Sequence, residues 1–143
     1  MVPYQYVVIV GCGRVGSMLA NRLSGLGSNV VIVDRDETAF DNLSPEFSGF
    51  RVLGEAAELA TLRQAGIERA DCLLAVTSHD NVNLMVAQMA RATFGVTKVM
   101  ARVFDPAREG VYREFGIETV NPATASVDLF LLALEKGSGA GQR

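Results

Sequence analysis

Residues 7–23 read VVIVGCGRVGSMLANRL. Four consecutive β-branched apolar residues end at Gly11, and from Arg14 onward alanine and leucine at helical intervals mark a helix. Between them lies Gly11-Cys12-Gly13-Arg14-Val15-Gly16, a G-x-G-x-x-G run set between strand and helix, the context in which this spacing receives a dinucleotide pyrophosphate. Gly11 suits the tight turn, Gly13 the close approach of backbone to phosphate, and Gly16 the close packing of helix on strand. The unpaired N–H groups and dipole at the helix start then favour negative charge.

Outward from this loop, a second apolar strand, Val30–Val33, ends at Asp34, 18 residues after Gly16 (34 − 16). A carboxylate at that strand end accepts both hydroxyls of an adenosine ribose and repels a 2′-phosphate. Arg35 beside it leaves NADP open as a weaker ligand. Arg14 occupies a variable slot of the glycine loop, where a guanidinium pairs with a pyrophosphate or a terminal phosphate. The strand Cys72–Val76 leads into Thr77 and Ser78, and the strand Lys98–Val103 carries Arg102, a charge within an apolar strand end. In a doubly wound sheet, ligands bind beyond the carboxyl ends of the strands, so these three residues are expected in the same crevice.

Apolar runs at Arg51–Leu53 and Glu118–Val120 bring the strand count to six, with room for helices between. Helical stretches are expected at Arg14–Leu26, Glu58–Ala65 and Asn81–Phe94, the last with Asp80 as N-cap, and each followed by glycine. Further helices are expected from Pro106 through Phe115 and after Asn121-Pro122. Six helices are expected in all. The pattern specifies an α/β fold, a Rossmann-like doubly wound parallel sheet of about six strands with helices on both faces. At 143 residues this is one domain, expected over residues 1–136, with the glycine-rich 137–143 (GSGAGQR) as a flexible tail or a cut end.

Sixteen acidic against thirteen basic residues give a net charge of −3 and no dominant basic face, so duplex nucleic acid is not an expected partner. The first apolar run is broken by Gly11 well short of the ~20 residues a bilayer requires, and no positive n-region precedes it, so the chain reads as intracellular and not membrane-inserted. Cys12 and Cys72 fall in a tight loop and a strand, and are expected as reduced thiols. The single histidine, His79, reads as a solvated loop residue. There is no Ser-His-Asp order, HExxH, phosphate-binding GxxxxGK[ST] or Cys/His metal spacing. Because the nucleotide fold consumes nearly every residue, little chain is left to polarise a substrate. The expectation is a nucleotide receptor and not an enzyme, the alternative being a small NAD(P)-dependent oxidoreductase or a fragment of one.

Residues 7–23, VVIVDRDE at 30–37, VLGEAAELATLRQAGIERADCLLAVTSHDNVNLMVAQMAR at 52–91, KVMARVFDP at 98–106 and REFGIETVNP at 113–122 resemble the N-terminal nucleotide-binding domain of the RCK/KTN family, the cytosolic regulators of potassium channels and transporters. The resemblance implies NAD(H) or ATP/ADP as ligand and a membrane potassium channel or transporter as partner. It also implies a cytoplasmic location at the inner membrane through that partner, and a homodimer, with an octameric ring among its assemblies. By the same resemblance Gly11, Cys12, Gly13, Arg14 and Val15 hold the phosphates, Asp34 holds the ribose, Arg35 and Gly54-Glu55-Ala56 border the adenine, and Thr77, Ser78 and Arg102 complete the pocket. Glu55 stands where the family commonly has aspartate. Many members continue into a smaller C-terminal domain, so this chain reads either as a single-domain subunit or as an N-terminal piece.

An independent sign of assembly lies in Val127–Leu134 (VDLFLLAL), where only Asp128 is polar. A helix apolar around nearly its whole circumference requires cover on two sides, and one sheet can cover only one of them. A homodimer through this helix is therefore expected.

Overall fold

The computed structural model describes residues 4–141, with side chains through residue 137. Six strands form: β1 (Tyr6–Val10), β2 (Asn29–Asp34), β3 (Phe50–Leu53), β4 (Cys72–Ala75), β5 (Lys98–Arg102) and β6 (Glu118–Val120). All pair in parallel, in the order β3-β2-β1-β4-β5-β6. Strand order reverses between β1 and β4, which opens the crevice where doubly wound sheets receive ligands. Val10 lies opposite both Val33 and Ala75, so the carboxyl ends of β1, β2 and β4 finish level.

Alternation along the central strands sends Val8, Val10, Val31, Val33, Leu73 and Ala75 to one core and Val7, Ile9, Val30, Ile32, Cys72 and Leu74 to the other. Among the described residues there are five α-helices, of which α1 (Arg14–Gly25), α2 (Leu59–Gln64), α3 (Asp80–Gln88) and α4 (Glu109–Glu114) cover the two faces and α5 (Pro122–Gly141) leaves the sheet. Ala20 of α1 packs in the second core, and Leu62, Val86 and Tyr112 of α2, α3 and α4 pack in the first.

Several helix expectations are corrected. Between β2 and β3 the chain forms only a 3-10 segment, Glu37–Asn42, capped by Asp36 through Thr38 N–H. The third helix stops being α at Gln88 and finishes as a π turn, Met89–Thr93, before Gly95 at φ 65°. The fourth opens with a 3-10 turn, Pro106–Arg108, whose cap is Asp105. Asp80 is the first residue of α3 rather than its cap. Its carboxylate is claimed from outside the helix, by the backbone N–H groups of Phe104 and Asp105 at 2.8 and 2.9 Å. Asn121 does cap α5, accepting from the N–H groups of Ala123 and Thr124.

The expected tail at 137–143 carries helical backbone as far as Gly141, and residues 142 and 143 lie outside the described residues. From Ser126 through residue 137, α5 is exposed at every position, with Leu129 at 67%, Phe130 at 70% and Leu134 at 68%. The sheet covers neither side of it. Among the described residues, no helix is long and apolar enough to cross a membrane.

Candidate functional site

A cleft of about 1030 Å³ opens outside the carboxyl ends of the strands. Its walls gather Gly11, Cys12, Gly13 and Arg14 from the first loop, Asp34 and Arg35 from the end of β2, and Gly54, Glu55 and Ala56 from the end of β3. Thr77, Ser78 and Arg102 close it on the far side of the strand-order reversal. Two expected residues are not on its wall. Val15 sits on α1, 40% exposed, and Gly16 is buried beneath the loop.

The glycine loop is held from three directions. Gly11, at φ 105°, donates its N–H to Val33 O at 2.8 Å, and a Cβ on it would stand 2.9 Å from Thr77 N. Cys12 donates its N–H to Asp34 Oδ2 at 2.8 Å and accepts at its carbonyl from Asn42 Nδ2 at 3.0 Å. A Cβ on Gly16 would lie 1.7 Å from Gly11 O, so the helix and the turn approach as only glycine permits. A Cβ on Gly13, in contrast, would meet nothing within 4 Å. Gly13 also caps α1 without a side chain, which leaves the first-turn N–H groups without a capping acceptor. Open space over Gly13, an uncapped helix start and the cleft volume together fit a dinucleotide or nucleoside polyphosphate.

Asp34 is oriented as well as present, because its Oδ1 accepts from Asp36 N–H at 2.8 Å while Oδ2 takes that of Cys12. Arg35 lies 3.9 Å from Glu55, both substantially exposed, so the pair contributes little stability and leaves both side chains free to rearrange. Arg14 forms no ion pair among the described residues. Arg14→Ala is expected to weaken ATP binding by an amount reflecting the loss of a charge-assisted bond, about 1.5–3 kcal/mol, and to leave adenosine nearly unchanged. Parallel titrations decide it, and equal weakening of both ligands would remove Arg14 from the phosphate site.

Arg102 crosses the far wall, donating from Nη2 to Val76 O at 2.7 Å and stacking 4.9 Å from the Phe104 ring centroid. Its buried Nε has no partner, and burial lowers its pKa from the ordinary arginine value against a smaller opposing pull from Asp80. A guanidinium in that state is suited to an anion. Ser78 Oγ lies 3.2 Å from Nδ1 of the exposed His79. Both cysteines are buried and free, and burial pushes each thiol up to about 11, with Asp34 adding to the effect at Cys12 and Asp71 at Cys72. Among the described residues, no group of three His, Cys, Asp or Glu side chains forms a metal site.

Sequence reasoning missed Asn42 and, more importantly, Asn83. The second is fully buried on α3 and makes four hydrogen bonds, three to Thr77 and one to the carbonyl of Arg102. Its signal was an amide in line with the buried Val86, Ala87 and Ala90 of the same helix.

Sheet order, glycine loop and oriented strand-end carboxylate define a dinucleotide-binding-type domain of the doubly wound class. The chain belongs to the TrkA-N domain family, which matches it over residues 7–122. It is 46% identical over 130 residues to the Trk system potassium uptake protein TrkA of Streptomyces coelicolor, covering 91% of this chain and 58% of that protein. The chain thus spans a little over half the length of this relative. Its fold is similar to the TrkA-N domain of the inner membrane protein ybaL from Escherichia coli, with a TM-score of 0.81, 24% identity and coverage of 94% and 99% of the two chains. It is also similar, at 26% identity, to the GsuK channel bound to NAD (TM-score 0.77; 95% of this chain, 24% of that one) and to GsuK bound to ADP (TM-score 0.76; 93% and 34%).

Proposed function

We propose that this chain is a nucleotide-sensing regulatory module of a potassium channel or transporter, binding NAD(H) or ATP/ADP in the cleft and acting without chemistry of its own. The observation that carries the reading is the Asp34 carboxylate, oriented by its bonds to Cys12 and Asp36 N–H and lining the same cleft as the open space over Gly13. Kinship with a potassium uptake protein, and with channel structures bound to NAD and to ADP, supports the same assignment. In this reading Gly11–Val15 hold the phosphates, with the uncapped N–H groups at the start of α1 as donors since those of Gly11 and Cys12 are already given to Val33 O and Asp34 Oδ2, Gly16 lets the loop close on α1, and Asp34 accepts the ribose hydroxyls. Arg35, Gly54, Glu55 and Ala56 border the adenine, while Thr77, Ser78 and Arg102 receive the remote part of the ligand.

The exposed apolar circumference of α5 supports a homodimer, alone or within an octameric ring. Ligand acts by favouring one arrangement of subunits over another, and its effect is bounded by its difference in affinity for the two. The module works on the cytoplasmic side, held at the inner membrane by its transport partner.

Calorimetric titration with NAD⁺, NADH, ADP and ATP is expected to show binding, with NADP(H) weaker because its 2′-phosphate meets Asp34. NADPH affinity equal to or above that of NADH would overturn the ribose assignment.

A further inference from the structure

We propose that Asn83 is a positioning residue for the phosphate half of the ligand, setting the carboxyl ends of β4 and β5 against the glycine loop. The proposal rests on the nucleotide reading above. Asn83 Oδ1 accepts from Thr77 N at 2.9 Å and from Thr77 Oγ1 at 2.7 Å, while Nδ2 donates to Thr77 O and to Arg102 O, both at 3.0 Å. A carboxamide offers two donor hydrogens and two acceptor lone pairs, and all four are used. The pattern also fixes the orientation of the amide, since the flipped form would set its NH₂ against the Thr77 N–H.

Two strand ends are tied together by this one side chain, and a third, at Gly11, packs against them. Thr77 follows β4 and is the backbone against which Gly11 closes, with Thr77 N only 2.9 Å from where a Gly11 Cβ would stand. Arg102 ends β5 and braces back across the same gap through its Nη2 bond to Val76 O. One turn earlier on α3, Asp80 holds the N–H groups of Phe104 and Asp105, and the buried Tyr112 hydroxyl of α4 donates to Asp80 O at 2.8 Å. The start of α3 therefore grips both segments that form the far wall of the cleft.

The adenosine end of the ligand has no such dependence. Its proposed seats, Asp34 and Gly54–Ala56, take none of their bonds from α3. Removing the Asn83 amide leaves the N–H, hydroxyl and carbonyl of half-buried Thr77 and the Arg102 carbonyl without this partner, and these relax toward water or other partners. Thr77 then shifts against Gly11 and the phosphate cradle loses its shape. The loss of affinity should grow with the part of the ligand beyond the ribose, whereas a general loss of stability weakens every ligand alike.

The test uses Asn83→Ala and Asn83→Leu, the second filling the space without restoring a bond, titrated with adenosine and with ADP. ADP binding is expected to weaken about tenfold or more and adenosine binding less than about twofold. Equal weakening of both ligands, or unchanged ADP binding, overturns the proposal. If neither variant folds, amide hydrogen exchange of the unsubstituted chain decides. ADP should slow exchange at Thr77 and Ser78 where saturating adenosine does not, and equal protection by the two overturns the proposal. An unsubstituted chain that binds neither ligand instead overturns the nucleotide reading on which it stands.

Discussion

Replacing Gly16 by alanine is expected to lower stability by about 3 kcal/mol or more, and to weaken ADP and NAD⁺ binding at least about a hundredfold. The new Cβ would lie 1.7 Å from Gly11 O and 2.8 Å from Gly11 C, and both neighbours are backbone. No rotamer change relieves such a contact. Either α1 lifts from β1, losing the packing of Ala20 in the core, or the Gly11 turn moves and breaks its bond to Val33 O. Both routes displace the N–H groups proposed to face the phosphates. Gly25→Ala, at the other end of α1, is the control. A Cβ there meets nothing within 4 Å, and alanine is the better helix former, so stability should hold or rise slightly. Denaturant unfolding and ADP titration of the two variants measure the contrast. A Gly16→Ala chain with unchanged midpoint and affinity would contradict the loop geometry.

Phe130→Asp combined with Leu134→Asp is expected to convert a dimer into a monomer while leaving nucleotide affinity intact. Both side chains are about 70% exposed in the single chain, so the domain core gains nothing from them and loses nothing with them. Buried against a second copy, each contributes about 1.5–3 kcal/mol, and two carboxylates there would have to be desolvated. A regulator that acts by differential binding needs such a contact between subunits. Sedimentation of the parent and the double variant, with and without ADP, reads the result. A parent that is monomeric at micromolar concentration, or a double variant that stays dimeric, would remove α5 from the transmission route.

The parts of the fold legible in the sequence are those governed by local pattern. The apolar runs bound all six strands within a residue or so: the central strands, buried on both faces, leave a continuous apolar signature, while the edge strands β3 and β6 are mostly exposed and show only short runs. Glycines after α1, α2 and the π turn were readable as stops, and Gly27, Gly66 and Gly95 do hold positive φ. The glycine loop and Asp34 were readable because strand, turn and helix are contiguous there. What escaped depends on contacts distant in sequence. Asp80 looked like an N-cap by position, yet its carboxylate is taken by amides 24 and 25 residues away. Asn83 looked like one polar residue on an amphipathic helix, and its role appears only when β4 and β5 are both beside it. Even α5, whose apolar circumference was plain, was expected to find one covered side on the sheet and finds none.

The central claim is that the cleft is a receptor for an adenine nucleotide. Mass spectrometry of the small molecules released on denaturing the natively purified chain, followed by titration of the emptied protein with the molecule found, tests it most directly. The account predicts NAD(H), ADP or ATP in the released fraction and one rebinding site per chain, lost on replacing Gly16. Release of no nucleotide, together with no heat of binding from NAD⁺, ADP or ATP at millimolar concentration, would contradict it.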